Sequence, residues 1–357
     1  MGESMDYKIY VEYLQNTVRK YSFKQLKFIL KQMLKAEIAF SGQVPIQLAN
    51  EDALDITDMD YELALLKIIR ERKRGVKEFE KWEFIKDYKY SIPFEIDNYS
   101  STVPSILNQI PIIDTTEENY IHKDLVSPVR YTVDDIDLLK YSFSFSAYNS
   151  TTGEEELLKY PVVIAFHNNL EVIEIRFDTL RMPFKENNPM FYSSLVKIIR
   201  DNFKSTYGLE LSPIDLMFLH AIAKDNGDVK LIGQSMNLSS GGRAELNVGK
   251  NEDYILPFIG ELQDLIKDHE EDLHKFPELE NALNNFIFEI EEMSEYPWFE
   301  LLWENETKTR SIHVKIVTRY MDENYCLIQH YYSNVLIGME RMNNVVKYIS
   351  SNREDCK

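Results

Sequence analysis

The chain has 357 residues, of which 44% are hydrophobic and 28% charged, with a formal net charge of −19. That length and apolar content suffice for one large or two ordinary cores and exclude a disordered chain, while no run reaches the ~18 apolar residues of a membrane-spanning helix. The acidity disfavours attachment to nucleic acid or anionic lipid by the whole surface, which leaves local charge as the informative quantity.

Met1–Tyr10 is polar and carries no basic-then-apolar leader pattern, so no signal peptide is expected. Cys326 and Cys356 are the two cysteines, too few for a disulfide framework and consistent with a reducing cytoplasm.

Residues 1–90 hold 16 Lys+Arg and 15 Asp+Glu, so nearly all of the negative charge lies beyond them. This first region reads as helices. Ser22 opens a segment with Leu26, Ile29, Leu30 and Met33 on one face, and Asp58 or Asp60 opens another with Tyr61, Leu65, Ile68 and Ile69 inward. Residues 91–126 contain Pro93, Pro104 and Pro111 with many Ser, Thr and Asn, and are expected to form a connector.

A β-rich block follows. Tyr141, Phe143, Phe145 and Ala147 alternate with serines at the period of a half-buried strand. Asn149–Gly153 is a turn, and Val162–Phe166 and Leu170–Phe177 form a hairpin around His167-Asn168-Asn169. Helices are expected from Asn188-Pro189 to Gly208 and from Ser212-Pro213 to about Lys224. A second hairpin pairs Val229–Leu238 with Arg243–Val248. From Tyr254 to Glu306 the pattern is helical and acidic. Ile312, Val314 and Ile316 read as a strand, and a last helix covers about Ser333–Ile349.

Strands and helices come in runs, which favours α+β over a doubly wound sheet. The expected architecture is a helical amino-terminal region, a central antiparallel sheet built of hairpins with packed helices, and a helical acidic carboxy-terminal region. The expected divisions are 1–92, a connector at 93–126, and 127–357 with acidic helices at 254–306.

Most motif-like stretches fail on spacing. Gly242 and Gly249-Lys250 are too far apart for a phosphate-binding P-loop. Gly233-Gln234-Ser235-Met236-Asn237 lacks the final glycine of a nucleophile elbow. His269 and His274 sit five apart, which turns them about 140° from each other on a helix. Cys326 and His330 have the i, i+4 spacing of helical metal ligands but lack further donors. Asp215, Asp228 and Lys230 match the Asp…Asp-x-Lys arrangement of magnesium nucleases, in which two carboxylates hold the metal and the lysine orients water. Helix capping at Asp215 and turn chemistry at Asn226-Gly227-Asp228 account for the same residues.

The charge layout is more unusual. No acidic residue lies between Glu12 and Glu37, and Lys20, Lys24, Lys27, Lys31 and Lys35 step by four, three, four and four, within about 80° on one helix. Arg70, Arg74 and Lys77 belong to a second series, with Glu71 and Glu78 in reach for ordinary surface pairing. Like charges at i, i+4 repel, so the first ridge calls for an anionic counterpart. The turn Ser239-Ser240-Gly241-Gly242-Arg243 offers backbone amides and an arginine to an anion.

These features predict a non-enzymatic intracellular binding protein, a regulatory or adaptor component of the cytoplasm. Its basic amino-terminal helix would meet an acidic protein, a second copy of itself, or nucleic acid, with no membrane partner and no cofactor. The alternative is the nuclease, which alone would need magnesium.

Overall fold

The structure, a computed structural model, describes residues 7–42, 52–113, 127–148, 153–180, 190–225, 229–238, 241–247, 257–292, 294–304, 311–332 and 338–353. Along the chain, α1 (Tyr7–Lys20) and α2 (Phe23–Lys35) precede the short parallel pair β1 (Ala39–Phe40) and β2 (Leu54–Asp55). Then come α3 (Tyr61–Glu71), α4 (Lys73–Ile85), β3 (Tyr90–Glu95), α5 (Tyr99–Leu107), β4 (Val129–Val133), β5 (Ile136–Tyr148), β6 (Glu155–His167) and β7 (Val172–Phe177). These are followed by α6 (Phe191–Tyr207), β8 (Ser212–Pro213), α7 (Met217–Asp225), β9 (Lys230–Asn237), β10 (Arg243–Asn247), α8 (Pro257–Asp268), α9 (Glu270–Leu273) and α10 (Pro277–Glu292). The chain closes with β11 (Glu295–Glu304), β12 (Ser311–Val317), β13 (Leu327–Tyr331) and α11 (Glu340–Arg353).

Helix and antiparallel sheet alternate in runs, as the α+β reading requires. The chain divides into two compact units, Met1–Ser212 with Ser333–Lys347, and Pro213–Tyr332 with Tyr348–Lys357.

In the first unit the sheet order is β3-β7-β6-β5-β4, all antiparallel. Its two faces differ in chemistry. One carries Tyr141, Phe166 and Phe177, whose rings pack against Phe203 and Tyr192 of α6. Gly208 ends α6 in the left-handed conformation, at φ 65°, which glycine reaches without steric cost. The opposite face carries Lys140, Lys159, His167, Glu174 and Arg176, all buried.

The amino-terminal helices share a core with that sheet. Leu14, Val18, Leu26, Ile29, Met33, Leu65, Ile68, Phe79 and Trp82 form one buried cluster, with Leu157 of β6 packed against it. Thr17 ties α1 to β6 by accepting the Lys159 N–H at 3.0 Å. Within the described part of residues 93–126, β3 ends at Glu95 and α5 spans Tyr99–Leu107 with Pro104 inside it, and the two compact units divide at Ser212/Pro213.

The second unit has the order β10-β9-β11-β12-β13. Phe299, Leu301, Val314, Ile316 and Ile328 fill its buried side. Glu295–Glu304, expected as helix, is strand β11, because β9 and β12 pair with it on both edges; ladder formation overrode a helical pattern. The helix expected to open at Ser212-Pro213 starts later, and the Asp215 carboxylate accepts the Met217 N–H at 3.0 Å. Among the described residues, no helix is long and apolar enough to cross a membrane.

Candidate functional site

The surface with the clearest chemistry is the basic face of α2, α3 and α4. Ser22 starts α2 with a capping box: its hydroxyl accepts the Gln25 N–H, and the Gln25 side chain accepts the Ser22 N–H. Such reciprocal capping fixes the helix start. With Leu26, Ile29, Leu30 and Met33 buried, the helical period turns Lys24, Lys27, Lys31 and Lys35 outward, and all four are exposed.

Lys20 does not belong to this row. It ends α1, the chain turns at Tyr21–Ser22, and its ammonium pairs with Glu156 of β6 at 2.9 Å. The continuous five-lysine helix face is thus a four-lysine face, because the Ser22 cap breaks the helix.

Arg70 at the end of α3 and Arg74 in the first turn of α4 are exposed, whereas Lys77 is half-buried. Glu71 and Glu78, expected partners, form no ion pair with Arg74. Lys27, Lys31, Lys35, Arg70 and Arg74 make no ion pair among the described residues. Arg72 and Lys67 are occupied locally, donating to the carbonyls of Asp52 at 2.8 Å and Asp55 at 2.9 Å.

On α2 the cations lack intrahelical partners because the helix contains no acidic residue, and on α4 two of the three carboxylates are turned away from solvent. Glu80 and Glu83 of α4 face inward, onto the charged side of the first unit's sheet. Lys140 Nζ donates to Glu83 Oε2 at 3.0 Å, to the Glu80 carbonyl at 2.9 Å and to the Glu80 carboxylate. Lys159 Nζ donates to both carboxylates as well. All four side chains are at most 3% exposed.

Burial opposes ionisation of Glu83, but Lys159 and Lys140 outweigh it and hold its carboxyl below the ordinary range. Burial pulls Lys140 down, while the two carboxylates raise Lys159 against the same penalty. Charges this deeply buried persist only as a mutually satisfied set. Two of the three carboxylates of α4, Glu80 and Glu83, are consumed inward, which leaves Glu78 as the only one near its cations.

Next to this network, Lys86 is buried, pairs with Asp178 and lies 3.6 Å from the Tyr88 ring centroid. Asp87 is buried too, and burial pushes its carboxyl up to about 6, with Asp178 adding to the rise. Arg176 donates to Glu174 and, at 2.7 Å, to Asn343 of α11.

Sequence reading missed this network. Its signal was a lone lysine inside each apolar run, Leu138-Leu139-Lys140-Tyr141 and Leu157-Leu158-Lys159-Tyr160. Spacing alone does not reveal that Glu80 and Glu83 answer them.

Asp215 is an exposed helix cap, Lys230 is exposed at the start of β9, and Asp228 lies outside the described residues. No three His, Cys, Asp or Glu side chains among the described residues gather to hold a metal ion. Cys326 and His330 lie just before and within strand β13, not on a helix, so four residues separate them by about 13 Å. Burial raises the Cys326 thiol to about 11, which keeps it protonated and unreactive.

Ser239 and Ser240 of the expected anion-binding turn lie outside the described residues. Within that turn Gly241 N–H donates to the Leu238 carbonyl at 2.9 Å. Arg243 donates to Ser235 at 3.2 Å and Glu245 at 2.7 Å. Among the described donors, the Gly241 N–H and the Arg243 guanidinium are engaged within the hairpin itself.

No family model, curated protein or solved structure matches the chain.

Proposed function

We propose that this is a cytoplasmic binding protein, a regulatory or adaptor component, whose basic face on α2–α4 meets an acidic protein surface. The observation that carries the reading is the set Lys27, Lys31, Lys35, Arg70 and Arg74, exposed and without ion pairs among the described residues, in a chain of net charge −19. Repulsion along Lys27, Lys31 and Lys35 has no ion-pair offset among the described residues, and an external row of carboxylates at the same ~5–6 Å helical spacing supplies one.

An acidic protein surface is favoured over nucleic acid because the chain's overall negative field repels a long polyanion, whereas a compact acidic patch meets only the local potential. A second copy of the chain is one source, since Glu270, Glu271 and Asp272 of α9 are exposed.

The test is retention on immobilised poly-glutamate and on DNA of equal charge, at about 50 and 200 mM salt. Retention on poly-glutamate that fades with salt and disappears in the K27Q/K31Q/K35Q variant supports the reading. Equal retention of that variant overturns it, as does preference for DNA. Magnesium-dependent cutting of the DNA would establish the nuclease alternative instead.

A further inference from the structure

The second unit carries an apolar surface that is exposed among the described residues, and it does not depend on the basic face. Helix α10 is exposed over most of its circumference, with Ile287 its one buried side chain among those described. Leu279, Leu283, Phe286 and Ile290 recur at steps of four, three and four, which places them within about 60° of one another at 100° per residue. Leu279 and Phe286 are each 52% exposed, and Phe276 just before the helix is 64% exposed.

A stripe with this spacing is the seam that one helix offers another. Leu283 and Ile290 of the stripe are half-buried, and a contiguous apolar stripe left this open marks an interaction site in a folded protein.

Its charge surroundings choose the partner. Residues 257–292 contain eleven Asp+Glu against Lys267 and Lys275. Glu278 and Glu289 fall within about 20° of each other along one border of the stripe, and neither forms an ion pair with a described residue. A second copy of α10 would bring the same carboxylates against them, and like charges across a seam oppose pairing. Helix α2 of another copy has the right charge, but its apolar stripe of Leu26, Ile29, Leu30 and Met33 is buried in its own core, which leaves the single side chain of Phe23 exposed and no seam to offer.

We propose that the apolar stripe of α10 docks an amphipathic helix of another protein whose own apolar stripe is bordered by lysine or arginine. Apolar contact holds the two helices together, and the carboxylates of α10 select the basic partner.

The probe is a designed 21-residue helix with leucine at the seam positions and lysine at its borders. Matched peptides carry glutamate at the borders or a scrambled seam, and binding to the full-length protein is followed by fluorescence anisotropy. The lysine-bordered peptide is expected to bind at least tenfold more tightly than either control. The charge-neutral variant L279S/F286S is expected to lose at least tenfold of that affinity, and its circular dichroism should not change because both side chains are exposed. The E278K/E289K variant is expected to shift preference toward the glutamate-bordered peptide. Equal binding by L279S/F286S would show that charge alone attracts the peptide and overturn the proposal. No binding at all, or concentration-dependent dimerisation abolished by L279S/F286S, overturns it equally.

Discussion

Lys140 on β5 and Glu83 on α4 lie 57 residues apart in sequence, yet their charged groups meet at 3.0 Å with side chains at most 1% exposed. Together with Lys159 and Glu80 they balance two positive against two negative charges inside the first unit. This arrangement fixes which side of α4 faces the sheet, and hence which side presents cations to solvent.

Removing one member should therefore be far worse than removing a pair. E83A leaves two ammonium groups facing one carboxylate and is expected to lower stability by about 3–5 kcal/mol in urea unfolding. E83L/K140M keeps Lys159 with Glu80, leaves no odd charge, and should recover most of that loss. Equal stability of the single and double variants would show that the four charges are not balanced as a set.

Asp87 gives the pH dependence an unusual sign. Its folded pKa is raised from 3.8 to about 6, chiefly by burial. Between these values the folded protein holds a proton that the unfolded chain has released. Its contribution is therefore most favourable below about pH 4, falls as pH rises to about 6, and is flat above that. Glu83, with its lowered pKa, acts oppositely: its stabilisation is present above the ordinary glutamate range and is lost on acidification. The two are separated by comparing D87N with the parent. D87N should be more stable at pH 7 by about 3 kcal/mol, following 1.36 kcal/mol per pKa unit, with the difference shrinking toward pH 4. A gap that is the same at pH 4.5 and pH 7 would rule out titration of Asp87 as its cause.

Gly75 in α4 should resist the usual improvement of helical glycine. Alanine normally gains about 1 kcal/mol at such a position. Here a Cβ would stand 2.4 Å from Cγ2 of Ile68 and 3.3 Å from its carbonyl oxygen, and Ile68 is itself fully buried. G75A is expected to be net destabilising, because overpacking a filled core costs about 1–3 kcal/mol. Thermal unfolding checks the sign, and a rise in Tm would mean that α3 and α4 can separate at no cost.

The local elements were largely legible. The Ser22 and Asp60 caps, the alternation through Tyr141–Ala147, the hairpin at His167-Asn168-Asn169 and the glycine ending α6 each follow from short-range chemistry. Caps, turns and apolar period act within a few residues and so survive in one dimension. The exposed lysines of α2 were legible for the same reason, since burying Leu26, Ile29, Leu30 and Met33 leaves them only one direction to point.

Sequence alone determined the negative charge, the basic start, and an α+β order of helices and strands. Tertiary structure alone decided that Lys20 leaves the ridge for Glu156, that Glu295–Glu304 is strand rather than helix, and that Glu80 and Glu83 turn inward to Lys140 and Lys159. Each of these depends on a partner beyond the reach of local pattern, from 7 residues away for Glu304 and Ser311 to 136 for Lys20 and Glu156. A charge or a strand edge is satisfied by whatever the fold brings beside it, and the spacing of neighbours along the chain carries no record of that.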